Sequence, residues 1–162
     1  MNNEYLSIIG ELINNEEYQK LKEETHHHHL SNRYDHCLAV AENTYKICKK
    51  LGLDYVSATR AAILHDFFFN EEFSDKNKAE FYTKHYEMSI RNASKITTLS
   101  EKETNIISSH MYPIGGTIPN CIESVIVDLV DDAVSIRERF FYNPRRLGQA
   151  MATLAIIFIN II

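Results

Sequence analysis

The chain has 162 residues, of which 44% are hydrophobic and 24% are charged, with only five glycines and three prolines. Against a prior of about 150 residues per domain, this composition predicts one compact domain and excludes collagen-like, low-complexity and wholly disordered classes. The net charge of -5 offers no positive field for phosphate backbones or anionic lipid, so nonspecific nucleic acid is not an expected partner. The three cysteines form no CxxC pair, which predicts reduced thiols and a cytoplasmic location.

Helical periodicity dominates the first half of the chain. Leu6, Ile9, Leu12 and Ile13 recur at helical spacing before a polar segment that runs to Glu24. A long helix is predicted from Asn32 to Leu51, with Gly52 just past its end. Its expected apolar stripe contains Cys37, Val40, Ala41, Thr44, Ile47, Cys48 and Leu51. Asp54 is predicted to cap the next helix, which carries Ala58, Ala61, Ala62 and His65.

The second half is also predicted to be helical. After an expected loop over 67–77, one helix carries His85, Met88, Ala93 and Ile96, and Ser100 with Glu103 fits a capping box for a helix through His110. Pro113 to Pro119 is a clear break. A final helix, ending near Asn143 and Pro144, is predicted to cover Ile122, Val125, Ile126, Leu129, Ala133 and Ile136. These elements predict an all-α, single-domain bundle of six or seven helices.

The last residues form a second, separate feature. The domain is expected to span 1–146, followed by an apolar tail over 147–162 that ends AMATLAIIFINII. Thirteen helical residues rise about 20 Å, short of the roughly 30 Å of bilayer hydrocarbon, so no membrane span is expected. The tail is expected to pack on the body or to mediate a homo-oligomer. The first residues do not show the pattern of a signal peptide.

Eight histidines are the main chemical signal. His26 to His29 are consecutive and form either a solvated loop or a lining of the site, where His28 and His29 would contact substrate. The other four lie on four different predicted helices, and acidic residues accompany them: His36, His65, His85 and His110, with Asp66 and then Asp128, Asp131 and Asp132. Ionisable groups buried in a bundle are costly unless they pair or bind metal, and imidazole with carboxylate suits Fe, Mn, Co, Ni or Zn.

The order and the local wording of these segments resemble the HD superfamily of metal-dependent phosphohydrolases, over roughly 32–139. The matching segments are NRYDHCLAVA, AAILHDFFF, KHYEMSIRNA, IISSHMYP and VIVDLVDDAVSIRER. In that family the last Asp is followed six and seven residues later by Arg-Glu, here Arg137 and Glu138. This offset selects Asp131, whereas helix phase alone leaves Asp132 open.

The resemblance implies a one-metal core of His36, His65, Asp66 and Asp131. With His85 and His110 it implies the binuclear form, in which Asp66 bridges two divalent transition metals, with Fe, Mn, Co or Ni favoured over Zn or Mg. These two histidines could instead support the ligands or face substrate. The implied activity is hydrolysis of a phosphoester or phosphoanhydride, in a nucleotide or small phosphorylated metabolite, by metal-activated hydroxide attack on phosphorus. Asp66 and His65 then belong to the catalytic centre.

Several assignments stay open at this stage. Arg33, one turn before His36, is either a phosphate clamp at the catalytic centre or an exposed residue paired with Asp35 or Glu42. Phe67 to Phe69 form either a wall for a nucleobase or ordinary packing. The GYP and HDxGK elements of cyclic di-GMP phosphodiesterases are missing, which argues against cyclic dinucleotides. The alternative to an enzyme is a regulatory module that senses a nucleotide without turning it over.

Overall fold

A computed structural model describes residues 3–24, 32–73 and 78–141. Within these ranges the chain forms two 3-10 turns (Lys20–Lys22 and Asn70–Phe73) and seven helices: α1 (Asn3–Ile13), α2 (Glu16–Gln19), α3 (Arg33–Lys50), α4 (Tyr55–Leu64), α5 (Lys78–Ile96), α6 (Glu101–Ser109) and α7 (Ile122–Phe141). No strand occurs in them, which confirms the prediction of an all-α bundle. None of these helices is long and apolar enough to cross a membrane. The histidine run and the apolar tail lie outside the described residues.

Polar side chains cap the first turns of several of these helices, two of them at the predicted residues. The Asp54 carboxylate accepts from the Ser57 amide at the start of α4. Ser100 and Glu103 form the predicted reciprocal capping box at the start of α6. At the end of α3, Gly52 takes a φ of +69°, the left-handed conformation that glycine adopts without strain. Local sequence therefore determines where these helices begin and end.

Helix α4 lies at the centre of the bundle, in contact with α1, α3, α5, α6 and α7. Its Ala58, Ala61 and Ala62 are fully buried. These small side chains let neighbouring helices approach closely, so α4 is enclosed on most sides. The helix leads directly into His65 and Asp66, and this places the His-Asp pair in the interior of the protein.

The polar segment between 14 and 24 contains structure that the sequence did not predict. Asn15 accepts from the amides of Glu17 and Tyr18 and thereby starts α2. Tyr18 and Leu21 are fully buried, and the Tyr18 hydroxyl donates to the Ile63 carbonyl over 2.6 Å. Two apolar residues in a short segment are too few to define a helical period, so the segment was predicted only as polar.

Most of the apolar residues predicted on α7 do not pack in the core. Val127, Val130 and Val134 are buried together with Ile126, the one predicted residue that is buried. The other predicted residues are exposed, namely Ile122, Val125, Leu129, Ala133 and Ile136. On α3, Ile47 and Leu51 are likewise exposed instead of buried. Helix α7 therefore has two adjacent apolar faces, and periodicity alone did not indicate which one meets the core.

Candidate metal centre

The six residues predicted as metal ligands meet at one place in the bundle interior. They come from five helices: His36 in the first turn of α3, His65 at the C-cap of α4 with Asp66 after it, His85 on α5, His110 at the C-cap of α6 and Asp131 on α7. All four imidazoles are at most 2% exposed, Asp66 is 4% exposed, and the Asp131 side chain is 13% exposed. Ionisable side chains this deeply buried require compensating partners.

The first group of these side chains gathers around Asp131. Its Oδ1 atom lies 2.8 Å from Nε2 of His36 and 3.6 Å from Nε2 of His65. Ligand atoms of His36, His65 and Asp131 all lie within 4.8 Å of one another. That spacing allows the three side chains to bind a single cation.

The second group gathers around Asp66. Its Oδ1 atom lies 3.2 Å from Nε2 of His85 and 3.6 Å from Nε2 of His110, and these two nitrogens are 2.8 Å apart. The other carboxylate oxygen, Oδ2, lies 3.9 Å from Nε2 of His65. Asp66 thus stands between the two groups, with one oxygen towards His85 and His110 and the other towards His65.

His65 and His110 are oriented by the same local device. Each stands at the C-cap of its helix, and its Nδ1 atom lies 2.8 Å and 2.7 Å, respectively, from the carbonyl oxygens of Ala62 and Ile107. A carbonyl only accepts, so Nδ1 carries the hydrogen, and in the neutral ring Nε2 presents a lone pair to the cluster. Nε2 of His65 is buried and has no hydrogen bond in the part of the chain that the structure describes. A buried lone pair beside two carboxylates fits a cation, so the residues present suit a metal.

Strong pKa shifts reflect the proximity of these groups. Burial acts to lower the pKa of His36, but its contacts with Asp131 and Glu138 outweigh burial and raise that pKa to about 10. Burial acts to raise the pKa of Asp131, yet the positive charge that His65 carries when it is protonated and the contact with His36 hold that pKa well below its usual value. For His110, burial lowers the pKa. Positive charge is therefore favoured close to Asp131.

The two neighbouring acids on α7 lie outside this arrangement. Neither Asp128 nor Asp132 belongs to the groups of potential ligands found among the described residues. Burial, with the charges of Asp132 and Asp131, raises the pKa of Asp128 to about 6, and Asp132 is exposed. The geometry thus favours Asp131 over Asp132, the alternative that helix phase left open.

Arg33 matches neither of the two roles considered for it. Its side chain is 1% exposed, so it is not an exposed residue of the helix start. Its fork contacts protein groups: Nη1 donates to the Phe68 carbonyl over 2.8 Å, and Nη2 donates to Oδ1 of Asn70 over 2.9 Å. Nη1 also lies 3.3 Å from the Glu24 carboxylate. Both terminal nitrogens are bound to protein groups, whereas Nε is buried and has no hydrogen-bond partner among the described residues. The contacts of the two terminal nitrogens favour a structural role over a phosphate clamp.

The aromatic run after the His-Asp pair packs inside the protein. Phe67 and Phe68 are at most 1% exposed, and Phe69 packs against the core. The Phe68 ring lies 5.2 Å from the His85 ring, between centroids. Phe68 therefore forms part of the wall behind His85, which fits the packing alternative better than an open surface for a nucleobase.

Glu138 is a site residue whose role the sequence did not reveal. Its Oε2 atom lies 3.3 Å from Nδ1 of His36, and the residue is 5% exposed. Seven residues separate it from Asp131, which is two helical turns and places both carboxylates on the same face of α7. Each ring nitrogen of His36 thus faces a carboxylate, and this fixes the orientation of the ring. The seven-residue spacing was the available signal.

Comparison with known proteins gives a family. The family model for the HD domain matches residues 33–134, more than half of the chain. All six clustered side chains fall inside that match. No curated protein and no solved structure matches the chain at a significant level.

Proposed function

The chain belongs to the HD domain family, and on that premise we propose that it is a metal-dependent phosphohydrolase acting on a nucleotide or another small phosphorylated metabolite. One observation carries the proposal. Asp66 lies between two groups of buried imidazoles, with its two oxygens directed towards different groups. An interior built only for packing would not place four histidines and two carboxylates within contact of one another.

Two sets of residues are available to hold divalent cations. His36, His65, Asp66 and Asp131 would hold the first ion, and Asp66 would share the second with His85 and His110. A mixed set of imidazole and carboxylate ligands suits Fe, Mn, Co or Ni. A thiolate site or an all-oxygen site would suit these metals less well. When bound, such ions polarise a phosphoryl oxygen and lower the pKa of water for attack on phosphorus.

Backbone and side-chain groups of the protein orient the proposed ligands. The carbonyls of Ala62 and Ile107 fix the rings of His65 and His110 with Nε2 towards the cluster. Glu138 orients His36 from behind. Asp131 is the most exposed of the six clustered side chains, which makes its side of the cluster the proposed approach for substrate. His28 and His29 remain proposed contacts for the phosphate or the leaving group.

The decisive experiment measures metal and turnover together. Untagged protein, purified without nickel affinity because of His26 to His29, is analysed for its metals and then screened against phosphoesters and phosphoanhydrides with added Mn, Fe, Co or Ni. We expect bound transition metal and turnover that a chelator abolishes. Asp66→Ala should lose both, whereas Asp128→Asn, which lies outside the cluster, should keep its metal.

The number of ions is tested by a second variant. His110→Gln removes one imidazole near Asp66 and leaves His36, His65 and Asp131 in place. If two ions bind, we expect the metal content to fall from two per chain to one. An unchanged metal content would indicate that His110 contacts substrate or supports the ligands. Metal-loaded protein that binds nucleotides but turns over no substrate would indicate the sensing module instead.

A further inference from the structure

The exposed apolar residues of α7 form one continuous stripe. Ile122, Val125, Leu129, Ala133 and Ile136 recur at the three- and four-residue spacing that places them on one side of a helix. Of these, Ile122, Leu129 and Ile136 are between 54% and 61% exposed. The stripe runs for about 21 Å along the helix at 1.5 Å per residue.

This stripe is additional to the face of α7 that packs on the core. Val127, Val130 and Val134 are at most 6% exposed, and α7 already contacts α3, α4 and α6. A helix at the surface of a globular protein usually has one apolar face and an opposite polar one. Helix α7 thus carries more apolar surface than the other described helices cover.

A groove between α7 and α3 gives this surface its shape. It has a volume of about 320 Å³. Its lining on the α7 side is Leu129, Val130, Ala133, Val134 and Arg137, and on the α3 side Asn43 and Ile47. Ile47 is 39% exposed. A concave, mostly aliphatic surface of this kind suits an apolar chain segment and offers few polar groups to a small polar ligand.

The chain itself contains a segment of matching chemistry and length. Helix α7 extends to Phe141, and in the sequence residues 142–149, which include Pro144 and two arginines, separate it from residues 150–162. Of these 13 residues only Thr153 and Asn160 are polar, and none is charged. A helix of this length would span about 20 Å, close to the length of the stripe. Residues 142–149 are enough to reverse the chain direction.

We propose that the C-terminal segment 147–162 docks in cis on the groove and stripe formed by α7 and α3 of the same chain. The occupant is chosen by tethering: a segment joined directly to α7 has a local concentration in the millimolar range, which favours it over a second copy of the protein at ordinary concentrations. Docking covers two apolar surfaces at once. The proposal is independent of the metal centre and of any catalytic activity.

The test uses a photo-crosslinking amino acid at position 136 in the full chain. Ile136 is exposed on the stripe, so the probe should not disturb the core. After irradiation at low micromolar concentration, we expect mass spectrometry to find crosslinks to residues 147–162. Mixing isotopically light and heavy protein shows whether both crosslinked peptides come from one chain. Crosslinks between light and heavy chains, crosslinks only to other segments, or none at all would overturn the proposal.

A matched pair of charge substitutions makes the test specific. Leu129→Glu places a carboxylate in the middle of the stripe, whereas Ile118→Glu changes a residue that is 72% exposed and lies before α7. We expect Leu129→Glu to lower the crosslink yield roughly tenfold or more, because docking would bury an unpaired charge, and Ile118→Glu to leave the yield unchanged. Equal yields in the two variants would refute docking at this surface.

Discussion

The guanidinium of Arg33 stacks on the ring of Phe68, with its central carbon 3.8 Å from the ring centroid. The centroid of the Phe68 ring lies 5.2 Å from that of the His85 ring, and His85 belongs to the cluster. Arg33 thereby supports the wall of the candidate metal centre through two layers of aromatic packing. Its hydrogen bond to the Phe68 carbonyl fixes the backbone of the same residue.

We predict that Arg33→Met destabilises the fold. The loss of a phosphate contact would instead raise KM and leave the stability unchanged. The substitution keeps the apolar stem but leaves the Phe68 carbonyl and Oδ1 of Asn70 without their donor. We expect a loss of about 2–4 kcal/mol in the free energy of unfolding, measured by urea denaturation. Arg91→Met is the control, since its side chain is 55% exposed and its ion pair with Glu72 is worth at most about 1 kcal/mol. A large rise in KM with unchanged stability would restore the phosphate clamp.

Glu138 should set the affinity of the first ion through His36. Glu138→Ala removes the carboxylate that faces Nδ1 of His36, and we expect metal affinity to weaken about 10- to 100-fold in a competition assay with a coloured chelator. Glu138→Gln keeps a hydrogen-bonding oxygen and should recover part of the loss. If alanine and glutamine variants bind metal as the parent does, Glu138 does not orient the ligand.

The carboxylate of Glu4 joins α1 to α3 and α4, and its effect should depend on pH. The hydroxyls of Tyr45 and Tyr55 donate to it over 2.7 Å and 2.8 Å, and Lys49 also contacts it. The contact with Lys49 and these hydrogen bonds lower the pKa of Glu4 from 4.5 to about 2. Because the pKa is lowered on folding, the stabilisation is complete above pH 4.5 and is lost as the pH falls towards 2.

Glu4→Gln should therefore lower the thermal midpoint at pH 7. The difference from the parent should shrink as the pH falls below about 5 and vanish near 2. Glu11→Gln on the same helix, an exposed position, provides the control and should show no such dependence. A difference that persists unchanged down to low pH would mean that the carboxylate charge is not the cause.

Two glycines should respond to alanine with opposite signs. Gly116 has a φ of +75°, and a Cβ there would overlap the Ser108 carbonyl, which accepts from the Thr117 amide. Gly116→Ala should cost about 2 kcal/mol or more in unfolding free energy. Gly10 lies inside α1 with nothing within 4 Å of its missing Cβ, so Gly10→Ala should stabilise by about 0.5–1 kcal/mol. Calorimetry on both variants measures the change in stability. A change of the same sign in both variants would contradict the prediction.

Sequence predicted most of the fold because local signals determine most of it. The caps at Asp54 and Ser100 and the turn at Gly52 are short-range patterns, and the structure confirms them. The six clustered residues were found through their order along the chain and a family resemblance. Periodicity could not establish which apolar face of α7 meets the core, because that depends on the partner helices. The network around Arg33 joins residues 24, 33, 68 and 70, and such distant pairings leave no local pattern.

The hydrogen bonds from His65 and His110 to backbone carbonyls each have two roles. Each bond satisfies a carbonyl in the last turn of a helix and also directs an imidazole at the cluster. Fraying of that turn would therefore misdirect the ring, and cation binding to the ring would hold the turn closed. By thermodynamic linkage, metal loading should slow amide hydrogen exchange where α4 and α6 end, before any change is seen in α1, which carries none of the six clustered side chains.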